Sequence, residues 1–324
     1  MAHLLENEFL RVRLVREEGG RVASITSKDS SLEFLLHSQP GRGRCKPGMQ
    51  AAFRDGACAG IEECLPSVGA CGSGTEGGPV PDHGDFWQLA WKVEGAPDES
   101  SQRLMATGFS RTLRFRKRAR LRGRTLYLDY SVENTGDKPT SFLYACHPLL
   151  AVDVGDRVVL PEEVTRLSLN SSRGDRLGEA GRTIDWPLVL PGVDLSRVLA
   201  RSAGVADMLY TARLRSGCCG LYRSSAQQGI AVRFDTAHLP YLGLWLCYGG
   251  WPEDGPEPRQ YAVALEPTTA PQGTLKEAYE NGQASHLPIG GAFKWTNSFE
   301  ISESGVTLDQ FRRFVEPSTS GHGT

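Results

Sequence analysis

Three residues of the sequence carry side chains suited to proton transfer. His83 lies in PDHGDFW, His147 in YACHPLLAVD and Glu266 in YAVALEPTTAPQG. Imidazole and carboxyl groups are common general acids and bases of enzymes. Pro148 restricts the backbone of His147 to extended conformations, whereas Gly84 allows a ligand or another segment to approach His83 closely. Taken singly, His147 fits a core histidine better than a catalytic one, Glu266 fits a solvent-facing strand end equally well, and His83 is a weak signal.

Aromatic residues accompany these candidates along the chain. Their planar rings can stack on the C–H faces of sugars while neighbouring polar groups bind hydroxyls, but they also serve as ordinary core residues of a β protein. The set is Trp87, Trp91, Trp245, Tyr248 and Trp251. Together with the proton-transfer candidates, they make a carbohydrate site one hypothesis among several.

The elements that must position these residues are strands. In TLRFRKRARLRGRTLYLDYSV, apolar side chains alternate with arginines and then, after Gly123, with polar residues, which predicts a β-hairpin. The arginine face has no interleaved aromatic residues for base stacking, so a solvated strand face is favoured over a nucleic-acid interface. The polar side chains of this face are Arg114, Arg116, Arg118, Arg120 and Arg122.

Many further short alternating segments are separated by Gly, Pro, Asn and Asp, which predicts an all-β sandwich or barrel with few short helices. The best helix candidate is TLDQFRRFVE, near the end of the chain. No linker or repeat divides the sequence, so residues 1–324 are predicted to form a single domain, with a flexible C-terminal tail from about residue 316. The irregular segment 55–84 is interpreted as the wall of a binding site.

The bulk composition fits a soluble globular protein. Of the 324 residues, 40% are hydrophobic and 23% are charged, and the formal net charge is −2. This charge gives no general attraction to nucleic acids or anionic membranes. The start MAHLLENEFLRVRL lacks the features of a signal peptide, and the apolar run YLGLWLCYGGW is too short to cross a bilayer. We therefore expect a cytoplasmic protein with no membrane partner.

The chain contains eight cysteines. In the cytoplasm, these are expected to be reduced thiols rather than a disulfide framework. The spacing of Cys58, Cys64 and Cys71 resembles no zinc module, so no metal site is expected.

Five stretches, taken in order, resemble the galactose mutarotase-like superfamily and, within it, the aldose 1-epimerase-related proteins. They are GIEECLPS, PDHGDFWQLAW, YACHPLLAVD, FDTAHLPYLGLWLCYGGW and YAVALEPTTAPQGTLKEA, and the resemblance extends from residue 1 to about residue 303. It implies a large antiparallel β-supersandwich that holds a monosaccharide in an open cleft without a cofactor, as a monomer or homodimer.

The resemblance also implies residue roles. Glu266 corresponds to the catalytic base, His147 to the catalytic acid and His83 to a second active-site histidine. The residues expected to bind substrate or line its site are Glu62, Glu63, Asp82, Trp87, Asp207, Asp235 and Trp251. The chain departs from the family at Cys146, where asparagine is usual, and at Asp85-Phe86-Trp87, where the sugar-phosphate branch commonly has an arginine. A phosphate site is therefore not expected at the latter position.

These residues support three functional hypotheses. The first is interconversion of the anomers of a free aldose, in which Glu266 and His147 are expected to favour each other's charged forms. The second is a carbohydrate-binding or sensor protein that keeps the cleft but does not catalyse. The third is an epimerase or isomerase acting on an unusual sugar in a catabolic pathway.

Overall fold

The computed structural model describes residues 2–39, 41–72, 78–96, 100–255 and 258–316. The expected flexible tail lies almost wholly outside these residues. The strands of the first half of the chain are β1 (Ala2–Glu6), β2 (Leu10–Val15), β3 (Arg21–Ser27), β4 (Gly60–Cys64), β5 (Lys92–Val93), β6 (Ser101–Thr107), β7 (Leu113–Arg122), β8 (Thr125–Asn134), β9 (Thr140–Phe142), β10 (Ala145–Ala151) and β11 (Arg157–Val159).

The second half adds β12 (Arg166–Ser172), β13 (Thr183–Asp185), β14 (Leu188–Leu190), β15 (Val193–Asp194), β16 (Val205–Thr211), β17 (Cys218–Arg223), β18 (Gln228–Phe234), β19 (Tyr241–Tyr248), β20 (Tyr261–Thr268), β21 (Ser285–Leu287) and β22 (Ala292–Ile301). Its helices are α1 (Leu275–Glu280) and α2 (Leu308–Val315). Among the helices that the structure describes, none is long and apolar enough to cross a lipid bilayer.

Two large antiparallel sheets form most of the described structure, alongside the two-stranded sheets β14-β15 and β21-β9. A ten-stranded sheet has the order β1-β2-β3-β4-β10-β20-β19-β16-β12-β13, and an eight-stranded sheet has the order β11-β17-β18-β22-β8-β7-β6-β5. One continuous apolar cluster draws side chains from both sheets, including Ile61 and Leu265 from the first and Phe115 and Val232 from the second. The core therefore lies between the sheets, which confirms the predicted large antiparallel β-sandwich.

The hairpin of β7 and β8 shows why the sequence pattern produces this fold. Side chains alternate between the two faces of a strand, and Leu113, Phe115 and Ala119 of β7 are buried in the core. The intervening arginines lie toward solvent, where Arg116 contacts two nearby carboxylates and Arg120 contacts Asp129. The prediction of a hairpin with a solvated arginine face is confirmed.

Other sequence expectations fare differently. The predicted C-terminal helix is confirmed as α2, which begins with a capping box between Thr307 and Gln310 and buries its apolar face. The segment QLAWKVEG alternates in the sequence as a strand does, but only Lys92–Val93 forms one, and Phe86–Gln88 forms a turn of 3-10 helix before it. GIEEC, expected to lie in a loop, is the interior strand β4, whose five residues are all buried.

Candidate functional site

The register of the ten-stranded sheet places the acid/base candidates in one row. β10 pairs with β4 so that His147 lies opposite Glu62. On its other side, β10 pairs with β20, with Ala145 opposite Thr268 and Leu149 opposite Ala264. Midway between these two pairs, His147 stands across from Glu266. Because neighbours opposite each other project from the same face of a sheet, the imidazole and the carboxyl group share the face turned away from the core.

Glu266 lies deep in this face. Its exposed fraction is 2%, and burial raises the pKa of its carboxyl group to about 8. The register pairs it with Gly243 on β19, where an added Cβ would approach the methyl group of Met208 to 2.9 Å and the Glu266 Cβ to 3.3 Å. The glycine therefore keeps open the space in front of the carboxyl group.

His147 is equally enclosed, with an exposed fraction of 6%. Neither ring nitrogen has a hydrogen-bond partner among the described residues. Burial, assisted by the nearby His83, lowers the pKa of His147 to about 3. The expectation that His147 and Glu266 favour each other's charged forms is wrong for the free site, because loss of hydration dominates both pKa values.

A tight loop brings His83 to the same place. The His83 amide donates to the carbonyl of Val68 at 2.5 Å, and the Asp85 amide donates to the carbonyl of Leu65 at 2.8 Å. Both His83 and Gly84 have positive φ, at 57° and 73°. A Cβ on Gly84 would lie 2.0 Å from the Leu65 carbonyl oxygen, so the close approach of the loop to β4 requires glycine here.

The His83 ring is held by its neighbours. Its Nδ1 donates to the Asp82 carboxylate at 2.8 Å, and the other Asp82 oxygen accepts from the Phe53 amide at 2.9 Å. Phe53 stacks on the His83 ring, with centroids 3.8 Å apart, and His147 lies 5.7 Å away on the same measure. Trp87 packs edge-on against Phe53 and donates its indole N–H to the Asp82 carbonyl. Asp82 and Trp87 thus support His83 from behind.

The three acid/base candidates line one cavity of about 250 Å³. Its wall is largely aromatic and apolar, with amide and hydroxyl groups at a few points. The lining residues are Phe53, Val68, Gly69, His83, His147, Asn170, Ser171, Met208, Tyr210, Trp245, Trp251, Gln260, Glu266 and Gly273. Of the residues predicted from the sequence, the structure therefore brings His83, His147, Glu266 and Trp251 together at this cavity.

Glu63 does not reach the cavity. It follows Glu62 in β4 and therefore points to the opposite face, into the core. There its carboxylate accepts hydrogen bonds from Lys117 at 2.9 Å and from the hydroxyls of Tyr130 and Tyr144, both at 2.8 Å. The side chains of Glu63 and Lys117 are both fully buried, with 0% exposure. Glu63 is thus part of a buried polar network that joins the two sheets.

Three other predicted residues lie outside the cavity lining. Glu62 shares the face of His147 but is buried beneath the surface, and that burial raises the pKa of its carboxyl group to about 7. Asp207 accepts a hydrogen bond from the Ser172 hydroxyl at 2.6 Å and pairs with Arg176. The next residue of β16, Met208, faces the cavity instead. Asp235 lies in a surface loop and pairs with His238 at 2.7 Å.

Several lining residues are not recognisable as such from the sequence. Phe53 comes from a segment with no strand pattern, and Tyr210 faces the cavity because of its register in β16. Trp245, a member of the aromatic set noted in the sequence, also lines the cavity, and its indole N–H donates to Gln260 at 2.7 Å. Cys146 lies in the core, so this departure from the family pattern does not alter the cavity wall. All eight cysteines are free thiols.

Comparison with known proteins agrees with this architecture. A solved structure from Synechocystis sp. PCC 6803 has 18% identity, covers 93% of this chain and 96% of its own, and gives a TM-score of 0.70. A galactose mutarotase related enzyme from Lactobacillus acidophilus has 18% identity, 95% and 100% coverage, and a TM-score of 0.68. A galactose mutarotase-like protein from Lactobacillus casei has 15% identity, 93% and 100% coverage, and a TM-score of 0.66.

At these identities the structures establish a shared fold. A comparison with curated proteins finds no match. The family model described as aldose 1-epimerase matches residues 2–169, which include β4, the His83 loop and His147. That match spans more than half of the chain, and the protein belongs to the aldose 1-epimerase family.

Proposed function

We propose that the protein interconverts the α and β anomers of a free monosaccharide by acid/base ring opening. The observation that carries this proposal is a buried carboxyl group and a buried imidazole, on adjacent strands, that line one cavity. Glu266 takes the proton of the C1 hydroxyl, and His147 protonates the ring oxygen. His83 binds the ring oxygen or a neighbouring hydroxyl. The C1–C2 bond of the open chain then rotates, and the ring closes on the other face.

The free site holds the pair in its neutral form, whereas ring opening starts from the ionised form. Ring opening begins with an ionised Glu266 and a protonated His147, and it leaves both residues neutral beside the open-chain aldehyde. The neutral pair is the state that burial favours, because the pKa of Glu266 is raised to about 8 and that of His147 is lowered to about 3. The total number of protons on the pair is the same in both states. Burial therefore opposes the ionised pair from which ring opening starts and favours the neutral pair that it leaves.

The cavity wall fits a small polyhydroxylated ligand. Its volume of about 250 Å³ is below the range of about 300–1,000 Å³ of pockets for larger ligands. Trp251 and Trp245 supply apolar ring surface on which sugar C–H groups can pack, and Asn170 and Gln260 supply amides for hydroxyls. A monosaccharide partner and a cytoplasmic location are part of this proposal.

The experiment follows freshly dissolved α-anomers of several aldoses by one-dimensional NMR, with and without the protein. Wild type should accelerate the approach to anomeric equilibrium for at least one aldose. Glu266→Gln and His147→Gln should each lose about 10²-fold or more of this acceleration. Glu303→Gln, a change at an exposed glutamate, is the matched control and should keep it.

The same spectra distinguish the rival functions. Full activity in both cavity variants would contradict the proposed roles. Saturable broadening of sugar signals without faster anomerisation would identify a non-catalytic carbohydrate-binding protein. Signals of a new sugar, rather than of the second anomer, would identify an epimerase or isomerase that acts at another carbon.

A further inference from the structure

Three potential metal ligands meet at the back of the cavity. The Cys64 sulfur, one ring nitrogen of His83 and one ring nitrogen of His147 all lie within 4.8 Å of one another. Cys64 is the last residue of β4 and stands opposite Ala145, two residues from His147, so its side chain projects from the same sheet face. His83 reaches the cluster from its loop. The three residues are far apart in sequence and are brought together by the fold.

Both histidines have a ring nitrogen that is available to coordinate a metal ion. His83 donates its Nδ1–H to Asp82, and Asp82 is itself fixed by the Phe53 amide. This arrangement leaves Nε2 with a free lone pair and is the carboxylate–histidine support that metal sites commonly use. His147 is more than nine-tenths buried, and both of its ring nitrogens lack partners within the described part of the chain. An unpartnered buried imidazole costs free energy that a bound cation would recover.

We propose that Cys64, His83 and His147 form a binding site for one thiophilic divalent cation such as Zn²⁺. One thiolate and two imidazoles suit this class of ion, and a fourth position would face the cavity, as in zinc sites that keep one ligand exchangeable. Tetrahedral ligands around zinc lie roughly 3.5 Å apart, so the side chains must close by about 1 Å. When the metal–sulfur bond forms, the thiol S–H bond breaks and its proton leaves to solvent.

The site has a consequence for the proposed anomerisation, on which this step of the inference rests. A cation bound to His147 occupies a ring nitrogen lone pair, and His83 is held by the same ion. His147 can then no longer carry the proton that the ring oxygen must receive. Zn²⁺ therefore acts as an inhibitor, and Cys64 determines how tightly the inhibitor binds without itself taking part in the proton transfers.

The first test is a titration of the full-length, chelator-treated protein with Co²⁺, which takes the same ligands and reports them by absorption. Wild type should bind one equivalent, with a near-ultraviolet thiolate-to-cobalt band and the visible bands of a tetrahedral ion. Cys64→Ala should lose the near-ultraviolet band. The matched control is Cys219→Ala, because Cys219 is another buried thiol that lies in β17 of the other large sheet, and its removal should leave the spectrum unchanged.

A variant of Asp82, which positions the His83 ring, should weaken metal binding without abolishing it. Asp82→Asn should weaken Co²⁺ binding by about 10- to 100-fold, as loss of a carboxylate that orients a ligand histidine does elsewhere. If Cys64→Ala fails to fold, Cys64→Ser nearly keeps the shape of the side chain and, having no sulfur, answers the same question. Absence of a thiolate band in wild type, or its persistence in a folded Cys64 variant, overturns the proposal.

The activity measurement separates this inference from the proposed function. Zn²⁺ should inhibit anomerisation by wild type, and at least tenfold more Zn²⁺ should be needed to halve the metal-free rate of Cys64→Ala. If the protein anomerises sugars but shows no cobalt–thiolate band, the metal site alone is refuted. If the band is present but no aldose is anomerised, the metal site stands and the proposed function is refuted.

Discussion

Replacing Glu266 with glutamine should make the folded protein more stable at neutral pH. Glutamine keeps the shape of the side chain but cannot ionise. Burial holds the pKa of Glu266 near 8 in the folded state, against an ordinary value of 4.5. The unfolded chain therefore releases this proton at a lower pH than the folded chain does. The stability that the protonated carboxyl group contributes is present below about pH 4.5 and is lost as pH rises toward 8.

The magnitude follows from the interval between the two pKa values. Between these two pKa values, Glu266 is ionised in the unfolded chain but protonated in the folded protein. Over that interval, a rise of one pH unit lowers the free energy of unfolding by about 1.4 kcal/mol. Between pH 4.5 and pH 7 this amounts to about 3 kcal/mol, and above pH 8 to about 5 kcal/mol. Wild type and Glu266→Gln should thus differ little near pH 4, and the variant should be more stable by about 3 kcal/mol near pH 7.

Urea unfolding of the two proteins, followed at several pH values between about 4 and 9, measures this difference. Glu303→Gln, at an exposed glutamate, should stay within about 0.5 kcal/mol of wild type throughout. A constant difference between Glu266→Gln and wild type across the pH range would refute the reasoning. Greater stability of wild type near pH 7 would show that the ionised carboxylate is stabilised in the fold.

Three further predictions concern the surroundings of the site. Wild type should lose stability as pH falls below 6.5, because His147 stays neutral in the folded protein but takes up a proton in the unfolded chain. The free energy of unfolding of His147→Gln, measured in urea, should therefore rise by about 2 kcal/mol relative to that of wild type between pH 7.5 and pH 5. A difference that does not depend on pH would contradict this. Lys117→Met leaves the buried Glu63 carboxylate without its cation and should lower the free energy of unfolding by about 3–5 kcal/mol. Arg120→Met, at a partly exposed ion pair, should lower it by less than about 1 kcal/mol. Equal losses would contradict a structural role for the buried pair. Gly84→Ala should lower the free energy of unfolding by more than about 2 kcal/mol and remove most of the activity. Gly123 also has a positive φ, 56°, but nothing lies within 4 Å of an added Cβ, so Gly123→Ala should lower the free energy of unfolding by only about 1 kcal/mol.

The sequence predicted the parts of the fold whose cause is local. Alternation of side chains is visible along β7 and β8 because one face of the hairpin is in the core and the other meets solvent. β4 was not predicted as a strand because both of its faces are covered and all five residues are buried. Its polar residues, Glu62 and Glu63, resemble a loop in the sequence, since their buried partners come from distant strands.

The site depends on register between strands that are more than one hundred residues apart. His147 and Glu266 were predicted as a pair through family resemblance, but no local pattern fixes that they face each other. Glu63 was expected at the sugar site, and a shift of one residue along β4 places it on the opposite face. Cys64 was judged by its spacing from other cysteines, whereas its relevant neighbours, His83 and His147, come from other segments.

The most direct test of the central claim, that Glu266 and His147 share one proton and pass it through the sugar, is the pH profile of kcat/KM for anomerisation. It should be measured on chelator-treated protein with the aldose that is accelerated most, after subtraction of the uncatalysed rate. We predict a plateau that falls above about pH 8, where the pair loses its shared proton. A rate that keeps rising through pH 8 would show a carboxylate acting alone as a base and would contradict the account.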